Sequence, residues 1–380
     1  MEPTKLRRET RISIAHAATQ DGPQTYDMVV FCHLRWQFVY QRPQHIISRM
    51  AKEYKVLFIE EPIGFEPDEE NSGNLIIINE NLHVLQPKVS NISKIKNIIP
   101  QFVSNNHVDF GWFYSAAFVP LLEEFNFNTI VYDCMDELSM FKGAPSELIV
   151  LEKFLMSNAH IVFTGGKSLY ESKKIHHKNV YCFPSSVDRE HFEKAMNGVI
   201  VPDDIACISH PVVGYFGVID ERLDLELIRE AAETHPDISF AMIGPLAKIS
   251  EEDLPRLENI HYLGMKSYEI LPNYLKAFAI AMMPFALNDA TKFISPTKTL
   301  EYIAAGKPII STPIKDVVRD FNHCVTIVEN AQEFSDAILF ILENHHDLSL
   351  EFEYEEILEK TSWNKTVEKM SLLISKTARS

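Results

Sequence analysis

The chain has 380 residues, of which 46% are apolar and 23% charged, a composition ordinary for a soluble globular protein of two or three domains. No run of 18 apolar residues occurs, which argues against a membrane-spanning helix, and the charged first residues predict no secretory signal. The net charge of −17 argues against a nucleic-acid-binding protein, and five scattered cysteines without metal-ligand spacing predict reduced thiols in the cytoplasm.

The first half of the chain alternates strand-like and helix-like segments after a polar stretch, residues 1–25, which we expect to form a flexible N-terminal arm. The predicted strands are residues 26–32, 55–60, 75–79, 82–86, 108–113, 130–132, 160–164 and 180–183. The predicted helices are residues 41–52, 92–103 and 146–157. Residues 75–86 have the pattern of a hairpin, whereas the rest of the alternation predicts an α/β domain with a parallel, doubly wound sheet.

A proline-containing stretch with little periodicity, residues 184–211, predicts a domain boundary. A second α/β alternation follows, with predicted strands at residues 212–217, 238–244, 279–283, 309–310 and 324–328. Its predicted helices are residues 224–233, 267–277, 297–305, 331–343 and 348–359, and a last helical segment covers residues 362–377. The pattern therefore predicts two α/β domains in succession.

The segment before residue 312 carries the most informative local pattern. An apolar strand delivers a polar loop, and Ser295 and Pro296 then suit the N-cap and the first position of a short helix that stops at Gly306. The unpaired N–H groups of a helix N-terminus bind anions. Lys298 in the first turn and Glu301 on the same rim therefore predict contacts with the phosphates and the ribose hydroxyls of a nucleotide diphosphate.

Three blocks of the sequence together resemble GT-B glycosyltransferases of the family 4 and family 1-like group. SPTKTLEYIAAGKPIIST, residues 295–312, resembles their donor-site signature, and FCHLRWQFVYQRPQHIISRMA, residues 31–51, resembles the opening of their acceptor domain. VYDCMDELSMF, residues 131–141, resembles an acceptor-side loop. The nearest relatives on this resemblance are teichuronic-acid-type and other bacterial cell-surface polysaccharide glycosyltransferases, and the likeness covers nearly everything after Tyr26.

The resemblance implies a GT-B fold, with two facing Rossmann-like doubly wound parallel-sheet domains and a cleft between them. Residues 26–190 would form the acceptor-side domain, completed by the final helix at residues 362–377. Residues 205–360 would bind a nucleotide-diphosphate sugar, with UDP favoured over GDP. The implied function is transfer of a sugar to a cell-surface polysaccharide or a lipid-linked saccharide.

On this resemblance the donor-binding residues are Gly217, Arg222, Ser295, Pro296, Thr297, Lys298 and Glu301. A glycine at the end of a strand lets the backbone approach a pyrophosphate, although Gly217 alone is a weak signal, and Arg222 is equally able to pair with Glu221 or Asp224. Arg222 and Lys298 match the basic pair that neutralises the leaving diphosphate. Because the chain has no Asp-x-Asp motif, we expect no metal, no further cofactor and a metal-independent reaction.

The acceptor-side candidates follow two predicted strands of the first domain, where open α/β sheets bind ligands. His33, Asp133 and Asp136 are the catalytic candidates, because imidazole and carboxylate groups orient or deprotonate a hydroxyl. The alternatives are a loop histidine bonded to backbone and an aspartate that caps a turn. Arg35 and Arg42 suit an anionic acceptor phosphate, and for Arg42 a surface salt bridge is an equal alternative.

One position departs from the pattern. Many retaining GT-B enzymes have a Glu eight positions before the residue that matches Glu301, and here that position is Phe293, which cannot hydrogen-bond to a sugar. A retaining reaction is still expected, with Asn288, Asp289 or the Ser295 backbone as substitute sugar contacts. A catalytically idle GT-B partner subunit and a nucleotide-sugar epimerase are the alternative functions.

The charge is unevenly divided along the chain. Residues 1–190 have a net charge of −4 and residues 191–380 a net charge of −13. The first half also holds two basic clusters, namely Lys5, Arg7, Arg8 and Arg11, and Lys167, Lys173, Lys174 and Lys178. A solvated surface is the simpler interpretation. The alternative is a peripheral contact of the first domain with an anionic membrane at the cytoplasmic face.

Overall fold

The computed structural model describes residues 22–66, 68–344 and 351–377. Most of the predicted arm, residues 1–25, and its basic cluster lie outside the described residues. The described chain forms two α/β domains, each built on one sheet. Among these residues no helix has the length and apolar character needed to cross a bilayer.

The first domain contains an eight-stranded sheet in the order β3-β4-β2-β1-β5-β6-β7-β8. The strands are β1 Met28–Cys32, β2 Val56–Glu60, β3 Ser72–Asn79, β4 Leu82–Lys88, β5 His107–Phe113, β6 Asn126–Cys134, β7 Ile161–Thr164 and β8 Val180–Cys182. All neighbours pair in parallel except β3 and β4, which form the predicted antiparallel hairpin. The strand order reverses between β1 and β5, so the loops after these two strands diverge and leave a crevice.

Both faces of this sheet are covered, as its continuous apolar strands require. Val29 and Phe31 of β1 point into one core, and Met28 and Val30 point into the other. The helices are α1 Arg42–Met50, α2 Glu147–Asn158, α3 Lys167–Lys173 and the last helix of the chain, α12 Trp363–Thr377. α12 shares one of the two cores with α1, although more than 300 residues separate them.

The linker between the domains contains two short helices, α4 Arg189–Phe192 and α5 Asp203–Ala206. The second sheet is parallel throughout, in the order β11-β10-β9-β12-β13-β14. Its strands are β9 Val212–Phe216, β10 Ser239–Ile243, β11 Ile260–Gly264, β12 Ile280–Met283, β13 Ile309–Ser311 and β14 Thr326–Ile327. Its helices are α6 Leu225–Thr234, α7 Leu271–Ala277, α8 Thr297–Ala304, α9 Lys315–Phe321, α10 Ala331–Asn344 and α11 Glu351–Lys360. The order reverses between β9 and β12, which places a second crevice opposite the first.

Local differences from the predicted elements have local causes. The helix predicted at residues 92–103 is a pair of 3₁₀ turns, Ile92–Asn97 and Ile99–Gln101, because Pro100 lacks an N–H and blocks a continuous α-helix. Strand β11 and helices α3 and α9 were not predicted, since their segments are short and carry little periodicity. The parallel doubly wound architecture of both domains is confirmed.

The two domains meet at α3 and α9 through a network of charged and hydroxyl groups. Ser168 donates its backbone N–H and its hydroxyl to the Asp316 carboxylate, at 3.1 and 2.5 Å to Oδ1. Arg319 donates to Ser168 at 2.8 Å, and Lys315 and Arg319 both pair with Glu171. These contacts hold the two domains together. The cleft lies between the carboxyl ends of the two sheets.

The second basic cluster is only partly available to a membrane. Lys173 is buried, and its Nζ lies 2.6 Å from the carboxylates of both Glu137 and Glu152. Lys167 pairs across the interface with an aspartate of α9 at 2.5 Å. Treating all four lysines as one surface cluster was therefore wrong for Lys173, and Lys174 and Lys178 are the exposed members without an ion pair among the described residues.

Candidate functional site

Three connected cavities occupy the cleft between the carboxyl ends of the two sheets. The central cavity, of about 110 Å³, is lined by both domains. The small cavity, of about 30 Å³, lies beside the ends of β9 and β10 and shares Tyr40, Gly217, Lys298 and Glu301 with the central cavity. The large cavity, of about 520 Å³, lies beyond the ends of β1 and β5 and shares Gln41, Asp136 and Arg222 with the central cavity.

All seven residues predicted to bind a donor line the central cavity: Gly217, Arg222, Ser295, Pro296, Thr297, Lys298 and Glu301. The sequence predicted this grouping because five of the seven lie within one turn of the start of α8. The detail of the cap was wrong. Pro296, with extended backbone, is the N-cap and Thr297 the first helical residue, and no side chain caps the helix. The first turn therefore offers N–H groups to a ligand or water in the cavity.

The start of α8 carries a close ion pair. Lys298 Nζ lies 2.8 Å from Glu301 Oε2, and it also lies 4.5 Å from the centroid of the Phe216 ring. Glu301 is 3% exposed. A cation in the first turn opposes the helix dipole, so the Glu301 carboxylate compensates the ammonium group until an anion enters the cavity.

Two glycines at the ends of β9 and β10 bring the backbone to the cavity wall. Gly217 has φ of 148°, and a Cβ there would lie 2.6 Å from Tyr215 Oη. Gly244 has φ of 152°, and a Cβ there would lie 1.7 Å from the Gly217 carbonyl oxygen. Neither position has room for a side chain. Gly244 was not among the residues predicted from the sequence, although it ends a predicted strand just as Gly217 does.

Arg222 lies at the junction of the central and large cavities. Its Nε and Nη2 donate to the two oxygens of Asp220 at 2.9 and 2.7 Å, which is neither of the partners weighed from the sequence. Its guanidinium carbon lies 5.6 Å from the centroid of the Phe141 ring, which comes from the first domain. Arg222 is thereby held in a fixed orientation at the domain interface.

His33 lines the large cavity just after β1. Burial, and secondarily the charge of Lys248, lowers the pKa of His33 to about 4. Its Nδ1 is buried and has no hydrogen-bond partner among the described residues. A neutral imidazole with an unused ring nitrogen is suited to accept a proton or a hydrogen bond from a ligand hydroxyl.

The carboxylates of Asp133 and Asp136 lie in different environments. Asp136 lines both the central and the large cavities, and burial raises its pKa, while the nearby Arg222 opposes that shift. Asp133 is still within β6 and is fully buried. Its Oδ1 accepts from Arg42 Nη2 at 2.8 Å, so its carboxylate faces the protein rather than the cleft.

The two predicted acceptor arginines are held by protein groups. Arg42 is 2% exposed and also donates to the Phe183 carbonyl at 2.7 Å, although its side chain forms part of the central cavity wall. Arg35 pairs with Glu60 at 2.8 Å and is not among the described residues that line the three cavities. The geometry favours positioning roles for both arginines and for Asp133; their roles in acceptor binding and catalysis stay predictions.

Several aromatic residues of the cleft were not indicated by any pattern in the sequence. Tyr268 of the second domain stacks on Tyr40 of the first, with ring centroids 4.5 Å apart, and on His191 of the linker at 4.3 Å. Its hydroxyl is buried without a partner among the described residues. These residues come from separate loops, so their grouping depends on the folded arrangement of the two domains.

Phe293, which replaces the expected Glu, does not line the central cavity. It packs instead against the apolar core of the first domain, so this position contributes to domain contact. The part of the chain that the structure describes contains no group of three or more His, Cys, Asp or Glu side chains that could hold a metal ion.

The second domain matches a known protein family. Residues 210–344 match the family described as Glycosyl transferases group 1. TuaH of Bacillus subtilis (strain 168), whose assigned name is teichuronic acid biosynthesis glycosyltransferase, is 27% identical over 217 residues. These residues are 53% of this chain and 54% of TuaH, so the match spans about half the length of that relative.

Solved structures resemble nearly the whole chain. Sucrose-phosphate synthase from Thermosynechococcus elongatus has a TM-score of 0.67 and 15% identity, over 92% of this chain and 98% of that one. Anabaena HepE in complex with UDP-glucose has a TM-score of 0.64 and 11% identity, over 93% and 100%. The E. coli trehalose-6-phosphate structure bound with UDP-2-fluoro glucose has a TM-score of 0.62 and 11% identity, over 93% and 99%. These likenesses confirm the predicted fold.

Proposed function

We propose, from the premise that this chain is a GT-B glycosyltransferase, that it transfers a sugar from a nucleotide diphosphate to a cell-surface polysaccharide or its lipid-linked precursor. One observation carries the proposal. The uncapped start of α8, with Lys298 and Glu301, lies in the central cavity at the point where the strand order of the second sheet reverses. A helix N-terminus at such a point is suited to a diphosphate.

We propose one orientation for the donor at the central and small cavities. The diphosphate would lie between the α8 N-terminus and the backbone of Gly217, with Glu301 accepting from the ribose hydroxyls. The base would lie at the small cavity, beside the ends of β9 and β10, and we propose UDP rather than GDP as the carrier of the sugar. Two of the similar solved structures, HepE and the trehalose-6-phosphate structure, contain UDP-sugars, which supports this choice.

The transfer step needs stabilisation of the leaving diphosphate and removal of one proton. The acceptor oxygen bonds to the anomeric carbon, while the bond from that carbon to the diphosphate oxygen breaks and its electron pair leaves with UDP. Lys298, Arg222 and the α8 N–H groups would stabilise that negative charge without a metal. His33 or Asp136, at the side of the large cavity, would take the proton from the acceptor hydroxyl.

We further propose retention of the anomeric configuration and weak attachment to an anionic membrane through the first domain. Phe293 does not line the central cavity and supplies no sugar contact there. The proposal of retention therefore rests on the resemblance to GT-B glycosyltransferases alone. The proton NMR spectrum of the first-formed product distinguishes retention from inversion.

The direct test is a thermal-shift panel of UDP- and GDP-sugars on the wild-type chain. A ligand that binds the native state at 100 times its Kd stabilises by about 2.7 kcal/mol, which gives a measurable rise in Tm. We expect UDP-sugars to raise Tm and the Glu301→Gln variant to respond less. The absence of any response to all nucleotide sugars would contradict the donor site.

Turnover distinguishes the alternatives. An idle partner subunit would bind UDP-sugar but release no UDP with any lipid-linked acceptor, and an epimerase would interconvert nucleotide sugars without an acceptor. We expect UDP release that depends on the acceptor and persists with excess EDTA. Activity lost in EDTA and restored by Mg²⁺ or Mn²⁺ would show that the proposed charge stabilisation is incomplete.

A further inference from the structure

The large cavity has an unusually apolar wall for a site that would receive a saccharide. Much of its lining is contributed by Leu34, Phe38, Ile92, Leu138, Phe141 and Leu148. A sugar buried against such a wall would leave hydroxyl groups without hydrogen-bond partners, at a cost of about 1–3 kcal/mol for each buried group. The wall therefore fits a hydrocarbon group better than a sugar ring.

Polar groups are concentrated where the large cavity meets the central cavity. Asp136 and Arg222, which pairs with Asp220, line both cavities, and His33, with its unused Nδ1, lines the large cavity. Glu61 also lines the cavity, and burial raises the pKa of its carboxyl group. An acceptor in this cavity would thus meet polar groups near the sugar donor and apolar groups farther away.

Lys248 supplies a cation on the rim. Its Nζ lies 4.4 Å from the centroid of the Phe141 ring and 3.6 Å from Glu221 Oε1, and its side chain is 46% exposed. Its φ of 60° is the single positive value among the described non-glycine residues. Such a conformation is uncommon for lysine and persists where the surroundings fix it, often at ligand sites. The weak pairing with Glu221 leaves Lys248 able to turn to an anion.

The apolar wall continues onto the surface through α2. Leu148 lines the cavity, and Ile149, the next residue of the helix, is 50% exposed. A hydrocarbon chain longer than the cavity could therefore leave it past Ile149. A free oligosaccharide has no use for this feature.

We propose that the large cavity binds the hydrocarbon chain of an amphiphilic acceptor whose saccharide is joined to the chain through a phosphate. The chain lies on the wall of Leu34, Ile92 and Leu148, the phosphate is contacted by Lys248, and the saccharide reaches His33 and Asp136. This inference rests on the proposed function, because it names the acceptor class for the same cleft.

The test uses farnesyl phosphate as the probe, with farnesol and inorganic phosphate as comparisons, in calorimetric titrations below micelle-forming concentrations. We expect wild-type protein to bind farnesyl phosphate, farnesol to bind at least tenfold more weakly, and inorganic phosphate to give no measurable binding. Leu148→Glu should weaken farnesyl phosphate at least tenfold, because it places a charge in the apolar wall. Val150→Glu, on the same helix but outside the cavity, should bind as wild type does.

Lys248→Ala separates the phosphate contact from the chain contact. It should weaken farnesyl phosphate roughly tenfold and leave farnesol unchanged, as expected for loss of one charge-assisted contact. Equal binding by the Leu148→Glu and Val150→Glu variants would overturn the proposal, as would binding of inorganic phosphate as tight as that of farnesyl phosphate. UDP titrations of the same variants check folding and isolate the proposed function, since UDP binding should be retained in all three.

Discussion

The proposed donor side and the proposed acceptor side of the cleft are built in different ways. On the donor side, Lys298 and Glu301 are three residues apart and pair within the first turn of one helix. On the acceptor side, Arg42 pairs with Asp133 across 91 residues, and Phe141 meets cations that come from the other domain. A site formed by one local segment can be predicted from the sequence. A site formed by residues that are distant in the chain can be identified only once the fold is known.

The same difference separates binding groups from supporting groups. The Lys298 ammonium lines two cavities and is compensated by a carboxylate that an anionic ligand can replace. The Arg42 guanidinium has protein acceptors on Nε, Nη1 and Nη2, and both members of its ion pair are buried. The first arrangement is suited to ligand exchange and the second to fixing the end of β6 against the start of α1.

The largest expected effect concerns this supporting pair. Arg42→Ala would leave the Asp133 carboxylate buried and unpaired, so we expect a loss of about 3–5 kcal/mol in the free energy of unfolding. Arg49→Ala, which breaks a more exposed pair with Asp188, should cost at most about 1 kcal/mol. Urea denaturation of both variants measures the difference. Unchanged stability of Arg42→Ala with a raised KM for the acceptor would instead make Arg42 an acceptor-binding residue.

The next prediction tests the proposed contact of Lys298 with UDP. Lys298→Ala should weaken UDP binding roughly 10- to 100-fold, because a hydrogen bond to a charged group contributes about 1.5–3 kcal/mol. Lys292→Ala is the matched control, since Lys292 is exposed and does not line the central cavity. Calorimetric titration with UDP gives both affinities. Equal affinities for the two variants would remove Lys298 from the donor site.

A smaller effect tests the proposed membrane contact of the first domain. Lys174→Ala and Lys178→Ala should each reduce binding to anionic vesicles about fivefold, because a lysine near such a surface gains about 1 kcal/mol. Lys360→Ala in the second domain should have no effect. Co-sedimentation at low salt, repeated at high salt where the attraction is screened, makes the comparison. Binding that ignores both first-domain lysines would refute the predicted orientation.

The smallest expected effect is a nearly flat pH profile. With His33 as the base, which must be unprotonated to accept a proton, a pKa lowered to about 4 predicts that kcat/KM changes less than about twofold between pH 8 and 5.5. An ordinary histidine, with a pKa near 6.5, would cause a loss of roughly tenfold by pH 5.5. An acid limb near pH 6.5 in the wild type that disappears in His33→Gln would contradict the shifted pKa.

Much of the fold followed from periodicity in the sequence. The alternation of buried strands with helices predicted both doubly wound sheets, and residues 75–86 predicted the hairpin of β3 and β4. The prolines of residues 184–211 predicted the linker between the domains. The elements that were not predicted are short. One of them is α3, a helix of seven residues that makes stabilising contacts with α9 and has little hydrophobic periodicity.

The candidate site divides in the same way. The start of α8 was predicted as an anion-binding helix end because a cap, a proline and a charge pair occur in one short segment, although the cap falls on Pro296 instead of Ser295. Tyr268, Phe141 and Lys248 left no comparable pattern, since their partners lie in the opposite domain or in the linker. Asp133 and Asp136 looked equivalent in sequence, and the end of β6 between them separated their environments.

The most direct test of the donor site is the crystal structure of the complex with UDP. We predict that the diphosphate lies at the start of α8 within hydrogen-bonding distance of Lys298 Nζ, and that the ribose lies beside Glu301. The uracil should lie beside Gly244, at the small cavity. UDP bound elsewhere in the cleft, with the α8 N-terminus and the small cavity free of ligand, would contradict the assignment of the second domain as the donor site.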